Sequence, residues 1–103
     1  MGSLTATPTP AVALYLDENF FNPRKNQLGM DVRVDVAGQV HVMVFNIAGE
    51  KVKDLLNQYE NVGNYRVYWD GHNNNGAETG NAVYFVIITQ PSGNMIRKVI
   101  LLK

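Results

Sequence analysis

The stretch Leu28-Gly29-Met30-Asp31-Val32-Arg33-Val34-Asp35-Val36 decides the fold. Leu28, Met30, Val32, Val34 and Val36 fall on one side of an extended chain, with Gly29, Asp31, Arg33 and Asp35 on the other. That period of two is what a half-buried strand requires, because successive strand side chains point to opposite faces. Downstream, Ala37-Gly38-Gln39 reads as a tight link, after which Val40, Val42 and Val44 resume the alternation. Met43 and Phe45 place a second, partly covered face on that strand. Ile47-Ala48-Gly49-Glu50 is the next turn, with Gly49 at positive φ. Lys51 to Asn57 fits a short edge strand better than a helical turn. Gly63 to Asp70 sets Tyr65, Val67 and Trp69 opposite Arg66, Tyr68 and Asp70. Ala82 to Gln90 is almost continuously apolar and reads as a central strand buried on both faces. Pro91 to Asn94 is a hairpin connection, and Met95 to Leu102 the last strand. Alternation there puts either Ile96, Ile100 and Leu102 or Met95, Val99 and Leu101 inward. Upstream, Val12 to Leu16 supplies a first short strand.

Seven short strands without a helix predict an all-β, antiparallel immunoglobulin-like or fibronectin III-like sandwich. Trp69 is expected in its core beside Val34, Val44 and Phe85. An OB-type barrel would want a helix and a basic face, and neither is evident. At 103 residues the chain fits one domain. Residues 1–11 read as a tag remnant (Met1-Gly2-Ser3) and a Thr/Pro-rich linker, and residues 12–103 as the domain. Nine Lys+Arg balance nine Asp+Glu, so no nucleic-acid partner is expected. No apolar run is long enough to span a membrane. With no Cys there is no disulfide and no thiolate metal site, and His41 and His72 have no local ligand spacing.

The sequence offers little to catalysis. Its acids sit in turns or on polar strand faces with nothing pairing them, and Ser3 and Ser92 lack a nucleophile-elbow pattern. The chain is therefore read as a non-enzyme without catalytic residues, metal site or cofactor. Asp70-Gly71-His72-Asn73-Asn74-Asn75-Gly76 invites a calcium reading. In an EF-hand register with Gly76 at position six, position one is Gly71 and position twelve Ala82, so both ends fail. An Asn-rich turn is the better reading. Tyr15, Tyr59, Tyr65, Tyr68 and Tyr84 are candidates for a carbohydrate-binding surface, with Tyr68 and Tyr84 the two that alternation leaves free to face solvent.

Five elements occur in a telling order. They are Phe21-Asn22-Pro23, Val44-Phe45-Asn46-Ile47-Ala48-Gly49-Glu50-Lys51-Val52, Tyr68-Trp69-Asp70-Gly71, Val83-Tyr84-Phe85-Val86 and Arg97-Lys98-Val99. In these the chain, from about Val12 to Lys103, resembles the immunoglobulin-like domain named after the flagellar hook-capping protein. That family overlaps with the C-terminal sorting domains of the type IX secretion system. The chain departs from the family pattern in having Phe20 where Asn-Pro-Phe-Asn-Pro has its first proline, and Ala82 where a glycine usually precedes Val-Tyr-Phe.

The resemblance implies a non-catalytic, C-terminal module of a larger secreted or cell-surface bacterial protein. Its roles would be structural or interacting, with secretion sorting or surface anchoring as the finer expectation. A carbohydrate- or protein-binding adhesion module and a flagellar hook-assembly domain are the alternatives. Expected partners are upstream domains of the parent protein, the secretion machinery, or another protein at an exposed edge strand. The chain itself is expected to be a monomer or weak dimer. Phe21, Asn22, Pro23, Gly49, Trp69, Asp70, Gly71, Tyr84, Arg97 and Lys98 are the family-motif positions, structural or sorting in role.

Overall fold

The alternating pattern is realised as two facing sheets. The computed structural model describes residues 13–103. Its strands are β1 Leu14–Leu16, β2 Phe20–Phe21, β3 Leu28–Val34, β4 Gly38–Asn46, β5 Lys51–Glu60, β6 Gly63–Trp69, β7 Ala82–Gln90 and β8 Gly93–Leu101. A three-stranded sheet has the order β1-β3-β6, and a five-stranded sheet the order β2-β8-β7-β4-β5. The architecture is the immunoglobulin-like sandwich expected, with two corrections to its description. There are eight strands rather than seven, and β2 runs parallel to β8, pairing Phe20 with Ile100 and Phe21 with Leu101. Val12 and the proposed linker lie outside the described residues.

Leu28, Met30, Val32 and Val34 of β3 face Val40, Val42 and Val44 of β4 across the core, and all are buried. Val86 and Ile88 of β7 and Val99 and Leu101 of β8 complete it. The last strand therefore takes the second of its two possible settings, with Met95, Val99 and Leu101 inward. β5 is an edge strand as expected, but it continues to Glu60 because Asn57, Gln58 and Tyr59 keep pairing with β4. Register shifts at Val42/Met43 and Val44/Phe45 kink that pair.

Two expectations about β7 fail. Its neighbour to Trp69 in the core is Tyr84, whereas Phe85 points to the outer face. The strand is central but fully buried on one face only; Val83, Phe85, Ile87 and Thr89 remain half-exposed because no layer covers that side among the described residues. Two polar contacts close the seams between sheets. Gln90 Nε2 donates to the Arg33 carbonyl at 3.2 Å, and Arg97 Nε donates to the Leu14 carbonyl at 3.1 Å.

Candidate functional site

The motif residues, scattered in sequence, converge mainly at one end of the sandwich. Trp69 is fully buried, its ring centroid 5.4 Å from that of Phe21 and 5.3 Å from that of Tyr84, the latter edge-on. Both polar handles are satisfied locally. Trp69 Nε1 donates to the His72 carbonyl at 2.9 Å, and the Tyr84 hydroxyl to the Gly80 carbonyl at 2.7 Å. Tyr84 is thus a core residue and no ligand platform.

Asn22 shapes the loop beneath this cluster. Its side-chain oxygen accepts from the Arg24 amide and its carbonyl from Lys25 and Asn26. Pro23 packs against Gly71, which has φ +79. Asp70 Oδ1 accepts from the His72 amide and starts the following loop. Gly49 lies apart, at φ +84 in a turn whose amides are gathered by Asn46 Oδ1. Arg97 is half-buried at the β1 seam, and Lys98 is exposed. Phe21, Trp69 and Tyr84 are core residues and Asn22, Pro23, Asp70, Gly71 and Arg97 make local contacts, whereas Gly49 lies in a separate turn and Lys98 faces solvent, so the ten positions do not form one exposed surface.

The two outer faces differ sharply in chemistry. On the three-stranded sheet the outward residues are polar: Asp31 and Arg33 of β3, and Asn64, Arg66 and Tyr68 of β6. Arg66 donates to Asp17, with one bond at 2.8 Å, and to Asp31 at 3.1 Å, while its guanidinium lies 5.3 Å from the Tyr68 ring centre. The Arg66 hydrogen bond holds the Asp17 carboxyl below its ordinary range. Tyr15 and Tyr68 are exposed on this sheet, but Tyr59 belongs to the other, so the exposed tyrosines form no single aromatic platform.

The outer face of the five-stranded sheet is apolar, and it is the candidate site. Strand register aligns its side chains in rows across the sheet. One row is Phe20, Ile100 and Val83. The next is Lys98, Phe85, Phe45 and Lys51, followed by Ile96, Ile87, Met43 and Asp54. Phe20 and Ile96 are 58% and 57% exposed, and Ile47, just beyond β4, is 78% exposed. Phe45, Ile47, Phe85, Ile87 and Ile96 line a shallow trough of about 430 Å³ on this face. An antiparallel sheet with one solvated face normally presents polar residues there. A contiguous apolar patch stands there instead, which makes this face the candidate for contact with other molecules.

A charged cluster bounds the patch at β5. His41 Nε2 lies 2.6 Å from Asp54 Oδ1, Lys51 Nζ donates to the same oxygen at 3.1 Å, and Asn74 Nδ2 donates to Asp54 Oδ2 at 3.0 Å. The His41 hydrogen bond does most to lower the Asp54 carboxyl to about 2; Lys51 and Asn74 help, and burial opposes them. Asn74 also covers part of the free edge of β5. Its amide donates to the Val52 carbonyl, and its side-chain oxygen accepts from the Asp54 amide.

The loop from Asp70 to Gly76 uses its oxygens in turns. Asn73 Oδ1 accepts from the amides of Asn75 and Ala77, and Asn74 Oδ1 is engaged on β5. No group of three metal-ligating acids or histidines occurs among the described residues. No helix there is long and apolar enough to cross a membrane.

No protein-family model matches the chain, and no curated protein matches it in sequence. Solved structures do match its fold. One is PorZ of Porphyromonas gingivalis, an essential bacterial surface component of the type IX secretion system. It is 14% identical with a TM-score of 0.60, over 87% of this chain and 11% of PorZ. This chain thus spans about a tenth of that protein. FlgD of P. aeruginosa is 18% identical with a TM-score of 0.57, over 85% of this chain and 67% of FlgD. At these identities the likeness establishes a shared sandwich fold.

The exposed apolar face is not separable from a doubly buried strand by sequence alone, because in Val83-Tyr84-Phe85-Val86-Ile87-Ile88 both strand faces are apolar.

Proposed function

We propose that this chain is a non-catalytic immunoglobulin-like module of a larger secreted or cell-surface bacterial protein, and that it works by docking through the outer face of its five-stranded sheet. The observation that carries this reading is the contiguous apolar surface of Phe20, Phe45, Phe85, Ile87, Ile96 and Ile100. Folding leaves that surface uncovered, so its burial is available to association. The acids support a structural rather than a chemical role, because Asp17 and Asp31 bind Arg66 and Asp54 binds His41 and Lys51 on open surface.

Within that class, sorting or anchoring by the type IX system is the finer proposal, supported by the motif order and by the fold shared with PorZ. A flagellar hook-assembly role is the second reading, favoured by the same motif order. The test fuses the chain behind a signal peptide and a reporter in a type IX-competent host. Delivery of the reporter to the cell surface, reduced severalfold by Ile96→Lys, is the expected result. Retention of a folded fusion inside the cell overturns the sorting role.

A further inference from the structure

Three asparagines stand in a row before Gly76, and the fold occupies the side chains of two. Asn73 Oδ1 accepts from the amides of Asn75 and Ala77, and Asn74 bonds to Asp54 through both ends of its carboxamide. The Asn75 side chain is exposed and has no hydrogen-bond partner among the described residues. It is also the one asparagine of the chain followed by glycine. We infer that Asn75-Gly76 is a site of spontaneous deamidation, and that its isoaspartate product uncovers the adjoining edge of β5.

The missing side chain of Gly76 opens the path of attack. A Cβ there would meet nothing within 4 Å, so the space around its backbone is clear. The Gly76 nitrogen gives its proton to solvent base and bonds to Asn75 Cγ. The Cγ–Nδ2 bond breaks, and the nitrogen leaves as ammonia after taking a proton from water. A second water opens the five-membered ring at either of its carbonyls. Opening at Cγ leaves aspartate. Opening at the backbone carbonyl leaves isoaspartate, whose main chain runs through Cβ and is one carbon longer. Asp70-Gly71 has the same spacing but is held shut, since Asp70 Oδ1 is bonded to the His72 amide and Gly71 is buried.

One hydrogen bond gates the step. The Gly76 amide donates to the Asn73 carbonyl at 2.9 Å, and this bond must open before the nitrogen can attack. It closes a turn on the surface, where local opening requires little free energy. The two amides gathered by Asn73 Oδ1 flank that bond, so the Asn73 side chain holds the gate closed.

The product matters because of its neighbour. Asn74 covers β5 by three bonds, to the Val52 carbonyl, the Asp54 amide and the Asp54 carboxylate. An extra backbone carbon at position 75 pulls the turn out of register with the strand. The new carboxylate also puts a negative charge next to the residue that binds Asp54. Val52 and Asp54 then present unpaired backbone groups, as a bare edge strand does.

Peptide mapping of aged wild type and Asn73→Ala, with amide exchange measured on the aged protein, tests the inference. In mildly alkaline buffer Asn75 should convert at least tenfold faster than any other asparagine, with isoaspartate among the products. Asn73→Ala should convert at least threefold faster than the wild type. In the isoaspartate form the Asp54 amide should exchange at least tenfold faster than in fresh protein, approaching its rate in Asn74→Ala. Asn75→Asp, which carries the charge on a normal backbone, should show a smaller increase. Conversion at Asn75 no faster than elsewhere overturns the site, and an unaltered rate in Asn73→Ala overturns the gate. An Asp54 amide that exchanges faster in Asn74→Ala but not in the isoaspartate form overturns the uncovering of β5.

Discussion

Gly71 takes φ +79, and a Cβ built on it would lie 2.9 Å from the Pro23 Cβ and 3.3 Å from the Leu101 side chain. Left-handed backbone and lack of space act together at this residue, which joins the Phe21-Asn22-Pro23 loop to the Trp69 strand. Gly71→Ala should lower unfolding free energy by about 2–4 kcal/mol, read from the urea midpoint at unchanged slope. A midpoint within error of the wild type would mean that the loop does not seat on Gly71. Asp54 makes a prediction of the opposite kind, through charge. Its folded value of about 2 lies below the ordinary 3.8, so its stabilising contribution is complete above about pH 4 and is lost as pH falls through 2. Denaturant melts of Asp54→Asn between pH 2 and 5 should therefore depend less on pH than those of the wild type. Asp17, held low by Arg66, retains its own share of the slope in both proteins. Identical pH profiles would contradict the His41–Asp54 contact.

The final strand shows most clearly how much a single element holds. Val99 and Leu101 are fully buried, and burial of such side chains is worth roughly 1.5–3 kcal/mol each. Backbone bonds from Ile100 and Leu102 to the carbonyls of Asn19 and Phe21 also tie β2 to β8, its neighbour in the sheet. Against a typical total stability of about 5–15 kcal/mol, removal of residues 99–103 should abolish the cooperative thermal transition. A truncated chain that melts like the full one would contradict the strand assignment. The strands themselves were legible wherever one face is polar, as in Leu28–Val34, because alternation then names both the strand and its inner side. In Val83–Ile88 both faces are apolar and alternation cannot choose between them. The choice of Tyr84 over Phe85 comes from tertiary contacts, the Trp69 ring and the Gly80 carbonyl. β2 was illegible for another reason: two residues paired in parallel with a strand some eighty positions away leave no local pattern. The polar end of β5 resembles a loop, because its side chains face solvent along an edge.

For the molecule as a whole, the asymmetry between its outer faces is the central claim. One is a polar lattice around Arg66; the other is a band of aliphatic and aromatic side chains with charges only at Lys98 and around Asp54. The motif residues explain how the sandwich closes, and the apolar band explains what it offers to other molecules. The most direct measurement is methyl NMR of isoleucine-labelled protein at low micromolar concentration with a soluble paramagnetic probe. The methyl groups of Ile47, Ile96 and Ile100 should broaden strongly and that of Ile88 should not, with Ile87 between them. Protection of Ile96 in dilute protein, or broadening of Ile88, would contradict the exposed apolar face.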